Sequence, residues 1–363
     1  MKILLVTGIY PPDIGGPATY IPELASFLSD NGHELRILTL AEDVSEQAGD
    51  KLFVTRIQRK LPKILRMTIT IAKIVFTPRE YKIFANGLHE EVGISLLIRR
   101  RHAIAKIVGD PVWERSRNRN KTKKSIEEFN KAIDSNRSSF ERKLLTLGLN
   151  KFEAVTCPSE DLCELVESWK VYKPIKFIAN GVSIKTVDHV LQTNFDLICV
   201  SRLVSWKNID KHIEIASALN LKIAIVGSGP EEVKLKAIAK SLSCSATFFG
   251  EKTKIEIEEL FKESKVFILL SEYEGLSFSL LEAMSFGLPT IVSDIRANSS
   301  VVRDGIDGVV VDVKKWKSSE SEIIRLFADQ RYYENVSDNV RNRISNDFNA
   351  ATQFEKIEEL FLP

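Results

Sequence analysis

Four places in the chain combine side chains suited to holding an anion and a set of hydroxyl groups. The richest runs Ser271-Glu272-Tyr273-Glu274-Gly275-Leu276-Ser277-Phe278-Ser279-Leu280-Leu281-Glu282. Its glycine turn leads into an apolar helix, so Glu274 falls in the loop before the helix and Glu282 one to two turns inside it, near the same mouth. Carboxylates accept hydrogen bonds from sugar hydroxyls. The amides of Gly275, Leu276 and Ser277, at a helix N-terminus, suit a phosphate. A second place, Ser201-Arg202-Leu203 followed by Lys207, offers a planar guanidinium fork and a compact ammonium for phosphate oxygens. The third is Gly227-Ser228-Gly229-Pro230, and the fourth Gly15-Gly16-Pro17-Ala18-Thr19-Tyr20, where glycines let backbone amides approach a ligand. Taken singly, each reads equally as a turn, a solvated helix start or unrelated surface acids.

The elements around these places decide more. Short β-rich apolar runs alternate with helix-length amphipathic segments, the pattern of parallel sheets with crossover helices. Strands are expected near 3–7, 35–40, 82–85, 104–108, 154–157, 197–201, 221–226, 266–270 and 290–293. A polar stretch from Ser183 to Asn194 precedes a fresh strand and marks a junction, giving an N-terminal domain over 1–183 and a second over 184–344. The charged segment Arg115 to Arg142, with weak apolar spacing at Ile126, Phe129, Ile133 and Phe140, reads as an exposed, mobile helix-rich insertion. In open parallel sheets ligands sit beyond the carboxyl ends of strands. A cation pair, a glycine turn and a two-glutamate loop therefore fall after successive strands of one sheet, where they gather around a single nucleotide diphosphate.

Composition sets bounds. With 363 residues the chain exceeds what one core usually supports. The apolar start, Ile3 to Thr7, ends at Pro11-Pro12 and is too short for a signal peptide. No uninterrupted apolar stretch reaches membrane-spanning length. Cys157, Cys163, Cys199 and Cys244 form no Cys-x-x-Cys pair and have no histidine at ligand spacing, so free thiols in a cytoplasmic protein, with no metal and no cofactor, are expected. Net charge is +2, but residues 1–180 carry 29 Lys and Arg against 22 Asp and Glu, leaving the remainder acidic. Lys51 to Arg79 holds eight cations and no acid. With Leu61, Ile64, Leu65 and Met67 interleaved, this block fits peripheral contact with an anionic membrane. A nucleic-acid partner is disfavoured, because the block lacks interleaved aromatics.

These residues resemble glycosyltransferase family 4, of the retaining GT-B type. The resemblance rests on Tyr10-Pro11-Pro12 with Gly15-Gly16, Asn31-Gly32-His33-Glu34, Pro158-Ser159, Asn180-Gly181-Val182, Ser201-Arg202-Leu203 with Lys207, Gly227-x-Gly229, Glu274 to Glu282 and Gly287-Leu288-Pro289. It implies two Rossmann-like doubly wound α/β domains facing across a cleft, with a C-terminal helix over about 345–363 packed back on the first. It also implies metal-independent, retaining transfer of a hexose-type sugar from a nucleotide diphosphate sugar to a hydroxyl acceptor, lipid-linked or glycan, in cell-surface polysaccharide or glycolipid synthesis. The acceptor would attack from the face that the diphosphate leaves, and a phosphate oxygen would take its proton.

Carried onto this chain, the resemblance makes Arg202 and Lys207 the diphosphate cations, Glu282 the ribose ligand and Glu274 the residue facing the donor sugar. Gly15, Gly16, Gly227, Gly229, Gly275, Leu276 and Ser277 would line the donor. Many relatives carry a histidine before an acid where this chain has Gly109-Asp110-Pro111-Val112-Trp113-Glu114, so Asp110 is expected to take over part of that role. Arg296-Ala297-Asn298-Ser299-Ser300 also departs from a usual Gly-Gly and glutamate. Tyr20, His89 and Trp113 are the acceptor-side candidates, whereas His33 and His212 are expected to be structural. A sugar-nucleotide epimerase of the same architecture, or a catalytically weak sugar-nucleotide-binding subunit, remains open.

Overall fold

The computed structural model describes residues 1–45, 52–119, 121–132, 136–185 and 193–362. Lys51, Ile133 and the 186–192 part of the expected junction lie outside them. The chain divides into two compact units, Met1–Ala179 with Gln353–Pro363, and Asn180–Thr352.

The first unit holds seven parallel strands: β1 (Lys2–Thr7), β2 (Glu34–Ala41), β3 (Phe53–Gln58), β4 (Tyr81–Asn86), β5 (Ala103–Lys106), β6 (Ala154–Cys157) and β7 (Ile175–Phe177). They lie in the order β3-β2-β1-β4-β5-β6-β7, so the order reverses beside β1. Strand β1 is buried on both faces, as a central parallel strand must be, and reads as a continuous apolar run. The helix Gly16–Asp30 seats on the sheet through Tyr20, Ile21, Leu24 and Leu28, spaced three and four apart and almost fully buried. Each such aliphatic side chain contributes roughly 1.5–3 kcal/mol by leaving water. The returning tail closes this core, with the Phe354 ring 5.5 Å from Tyr20 and the Phe361 ring 6.4 Å from Phe84. The helix expected over 345–363 breaks at Phe348, and the first unit takes the chain only from Gln353.

The second unit holds β8 (Phe195–Val200), β9 (Ile223–Val226), β10 (Ala246–Gly250), β11 (Ser264–Leu269), β12 (Thr290–Ser293) and β13 (Gly308–Val311), all parallel. Their order, β10-β9-β8-β11-β12-β13, puts the reversal between β8 and β11. All nine expected strands are present within a few residues. The four additional strands are β3, β7, β10 and β13.

The segment 115–142 is helix-rich and largely exposed, as expected, but part of it reaches the core. Its helices Pro111–Asn118, Ile126–Lys131 and Asn136–Leu149 are packed in place. Phe129 is buried, and the Arg142 guanidinium stacks 3.8 Å from the Trp169 ring while pairing with Asp110. A charged sequence here holds a buried ion pair beside an exposed charged face.

Candidate active site

The second unit brings the sharpest motif and the cation motif together. Strand β8 ends at Val200, and its chain runs through Arg202 into a single 3-10 turn, Ser205–Lys207. Asn208 then takes a left-handed conformation, which a short amide side chain tolerates, and donates to the Leu270 carbonyl at 2.8 Å. From the neighbouring strand β11, the Glu272 amide donates to the Trp206 carbonyl at 2.8 Å. These two bonds lace the β8 and β11 loops across the point where the strand order reverses. They present the Lys207 ammonium to the Glu274 carboxylate in a close ion pair, with side chains only 12% and 9% exposed.

Both contacts to Glu274 fall on one oxygen. Lys207 and the Ser271 hydroxyl, at 2.6 Å, each donate to Oε1. Ser271 is held in turn, since its carbonyl accepts from Ser293 Oγ at 2.6 Å and Ser293 Oγ accepts from Asn298 at 3.0 Å. Asn298 lies in the run that departs from the family pattern, and here it braces the loop from behind. Sequence reading missed Ser271, Ser293 and Asn298 as positioning residues, although Ser271 stands three residues before Glu274.

After the loop, Ser277 caps the helix Phe278–Ser285 by accepting from the Leu280 amide at 3.3 Å. Glu282 is half-buried in the second turn of that helix. Asn180 donates to the Leu276 carbonyl at 3.0 Å, so the Asn-Gly-Val motif serves this loop too. Arg202 is exposed, with its guanidinium 5.8 Å from the Trp206 ring. Arg202, Lys207, Glu274, Gly275, Leu276, Ser277 and Glu282 all follow the carboxyl ends of β8 and β11, the usual ligand position in such a sheet.

The paired glycines answer to the backbone. A Cβ on Gly227 would stand 2.0 Å from the Ser201 carbonyl oxygen, at a φ of +125°, and one on Gly229 would stand 2.3 Å from the Leu203 oxygen. Their absence of side chains lets the β9 loop dock on the Arg202 segment, where the Leu203 amide donates to the Ser228 carbonyl at 2.8 Å. His212 is fully buried, burial and the Lys207 charge push it down to about 3, and its neutral Nε2 accepts from the Leu270 amide at 2.9 Å. It is a structural histidine.

Four first-unit candidates are buried. Tyr20 is 1% exposed beneath Phe354 and Phe84, and Trp113 is 0% exposed with its indole donating to the Lys124 carbonyl at 3.1 Å. Neither presents a surface to an acceptor. His89 is buried, bonded to the Lys106 carbonyl at 3.0 Å, and its pKa is lowered chiefly by burial. Asp110 is 0% exposed; it caps the helix Pro111–Asn118 through the amides of Val112 and Trp113 and pairs with Arg142 and Asn130. Its oxygens are consumed by the fold. Gly15 and Gly16 open the helix Gly16–Asp30, Gly15 at a φ of +144°. His33 pairs with Glu358.

Two basic residues of the 51–79 block are turned inward. Arg59 pairs with Asp13 and donates to the Leu40 carbonyl, and Arg66 donates to the Arg59 carbonyl at 2.8 Å. Lys63, Ile64 and Leu65 remain exposed at the start of the helix Lys63–Phe76. Among the described residues no helix is long and apolar enough to cross a membrane, and all four cysteines are free. No cluster of three or more His, Cys, Asp or Glu among them is arranged to hold a metal ion.

Known proteins match along the same division. Residues 14–186 match the family described as Glycosyltransferase Family 4, and residues 186–343 match Glycosyl transferases group 1. A UDP-Gal:alpha-D-GlcNAc-diphosphoundecaprenol alpha-1,3-galactosyltransferase of Escherichia coli is 36% identical over 107 residues, which is 30% of this chain and only 27% of that one. An uncharacterised glycosyltransferase of Methanocaldococcus jannaschii is 22% identical across 99% of this chain and 98% of its own length. The sucrose-phosphate synthase of Thermosynechococcus elongatus superposes with a TM-score of 0.81 at 16% identity, covering 99% of this chain and 98% of that one. The two family matches together span residues 14–343, and with the two parallel-sheet units they make this chain a GT-B glycosyltransferase of the family 4 and group 1 type.

Proposed function

We propose that this glycosyltransferase moves a hexose-type sugar, with retention of configuration, from a nucleotide diphosphate sugar held by the second unit to a hydroxyl acceptor, in cell-surface polysaccharide or glycolipid synthesis. The single observation behind this reading is the Lys207–Glu274 pair at the point of strand reversal. Because Lys207 and Ser271 both engage Oε1, Oε2 is left to accept from a donor-sugar hydroxyl while the ammonium beside it faces the diphosphate. The donor's diphosphate gains negative charge as the sugar leaves. Lys207, Arg202 and the Gly275 to Ser277 amides meet it, and donors held ready in this way stabilise the developing charge without reorganising. These cations perform the task a metal would otherwise share, so transfer is expected to persist in chelator. A leaving-phosphate oxygen accepts the proton of the incoming hydroxyl, and no separate base is required of Asp110. Glu282 grips the ribose.

The Escherichia coli relative, named for UDP-galactose and a diphospho-lipid acceptor, supports a nucleotide sugar donor and a lipid-linked acceptor. Lys63, Ile64 and Leu65 would rest the first unit on an anionic, cytoplasmic membrane face, which flotation with anionic liposomes tests. The central experiment screens nucleotide sugars for thermal stabilisation, since a bound ligand raises apparent stability by mass action. The stabilising donor is then incubated with hydroxyl acceptors, and the product anomer is read by NMR. Turnover of the donor without acceptor would indicate an epimerase. Binding with neither transfer nor hydrolysis would indicate a binding subunit.

A further inference from the structure

In the first unit, a cavity of about 310 Å³ lies among the helices Pro111–Asn118, Ile126–Lys131 and Asn136–Leu149. Its walls are strongly basic. Arg115, Arg119, Lys121 and Lys124 line it, against a single carboxylate, Glu141. Arg115 already satisfies that carboxylate at 3.3 Å and reaches Glu90 at 3.6 Å. Among the described residues no carboxylate lies within ion-pair distance of Arg119, Lys121 or Lys124. Three cations thus line one hollow with no carboxylate of the described residues in ion-pair distance, an arrangement that favours an anion.

The hollow is built by the fold. The Lys121 amide donates to the Ser116 carbonyl at 2.9 Å, the Lys124 amide to Thr122 Oγ1 at 3.1 Å, and the buried Trp113 indole to the Lys124 carbonyl at 3.1 Å. These bonds hold the backbone at Lys121 and Lys124. Thr122 and Ser138 add hydroxyls, and buried Phe129 forms part of the lining. Ser138 stands in the first turn of the 14-residue helix Asn136–Leu149, whose positive end favours an anion. That helix leads back to the start of β6, and the helix Pro111–Asn118 follows the end of β5. The hollow therefore lies on the carboxyl-edge side of the sheet, where such sheets bind ligands.

We infer that this hollow binds a diphosphate group, and that this group is the anionic part of the sugar acceptor. The inference rests on the transferase reading for the second half of that statement alone. An arginine fork with two lysine point charges and two hydroxyls matches the several oxygens of a diphosphate better than a single carboxylate. The same chemistry would also take free phosphate, and the experiment separates the two sources.

Inorganic pyrophosphate is titrated by calorimetry at low salt into the wild type, R119Q/K121Q/K124Q and R202A/K207A. The three exchanged side chains of the first variant are solvent-facing or loop-borne and hold no partner carboxylate, and circular dichroism checks the fold. The expected result is a site weakened at least 10-fold in the triple variant and retained in R202A/K207A. Wild-type pyrophosphate binding in the triple variant would overturn the site. Transfer is then measured to one sugar presented as a lipid diphosphate and as a neutral glycoside. A KM raised at least 10-fold for the diphosphate acceptor alone, with donor KM unchanged, supports the acceptor assignment. An unchanged KM for the diphosphate acceptor in the triple variant, with pyrophosphate binding lost, would show a free-phosphate site and overturn that assignment. No transfer by the wild type to either acceptor would sink the transferase reading, while calorimetry still decides the hollow.

Discussion

Lys106 offers the most quantitative test of the first unit. It ends β5, is 0% exposed, and its Nζ has no hydrogen-bond partner, lying instead 4.3 Å over the Tyr20 ring. Burial drives its pKa from 10.5 down to about 7, with the nearby Cys157 thiol the only opposing influence. The sign follows from proton linkage. Between pH 7 and 10.5 the unfolded chain holds the proton more tightly, so stability rises with pH across that window. Below pH 7 both states are protonated and the full cost of burying the ammonium is borne. At about 1.4 kcal/mol per tenfold in proton affinity, that cost is at most about 5 kcal/mol near pH 6 and about 1 kcal/mol near pH 9.5. Replacing the ammonium with a thioether of similar length, Lys106→Met, should remove it, less the cation–π attraction of roughly 1–2 kcal/mol. Urea denaturation of both proteins across this range should show a stabilisation near pH 6 that shrinks by up to about 3 kcal/mol towards pH 9.5. A variant whose advantage is the same at every pH, or is absent, would refute the view that Lys106 is a desolvated, unpaired amine.

Four other perturbations probe the chain at separate points. Lys207→Ala, and separately Arg202→Ala, should lower turnover roughly 100-fold, as losing one preorganised donor does; steady-state kinetics with wild-type rates in either would remove it from the diphosphate site. Asp110→Ala should destabilise by about 3–5 kcal/mol, since it strands a buried Arg142. Activity per folded molecule, counted by active-site titration, should stay near wild type, unlike the loss a catalytic acid would give. Gly227→Ala must place a methyl against the Ser201 carbonyl at positive φ and should cost at least about 2 kcal/mol in chemical denaturation. Transfer measured in excess chelator should match transfer in added magnesium, if Lys207 and Arg202 carry the leaving charge.

The strands legible in the sequence and those that were not separate by position in the sheets. Central strands such as β1, β9 and β12 are buried on both faces and appear as unbroken apolar runs bounded by turns. The four strands absent from the sequence reading, β3, β7, β10 and β13, are the four sheet edges. An edge strand pairs on one side only and exposes part of its surface. Phe53-Val-Thr-Arg-Ile-Gln58 therefore carries polar residues through its length, Ile175–Phe177 has only three residues, and Ala246–Gly250 is half-exposed. Strand β13 is buried but opens on a glycine at a φ of +158° and pairs on one side only. In the Arg115 to Arg142 segment the buried Asp110–Arg142 pair was not legible, because in a linear sequence it looks like the exposed charges around it.

Residue type and spacing located the candidate site, but they did not separate the groups that face a ligand from those the fold consumes. Glu274 and Lys207 belong to motifs 67 positions apart in the chain and meet because β8 and β11 are neighbours; strand order, and no local pattern, makes them a pair. In the first unit the same reasoning pointed to Tyr20, His89, Trp113 and Asp110, whose polar atoms look catalytic until their partners are known. A carboxylate that caps a helix and holds an arginine has no lone pair to spare for a substrate, and an indole that is fully buried offers no face to a sugar. The same loop, once pinned by Trp113, aims Arg119, Lys121 and Lys124 at one hollow. Trp113, expected at the acceptor, thus supports the backbone of Lys124, one of the cations we propose to receive the acceptor's diphosphate.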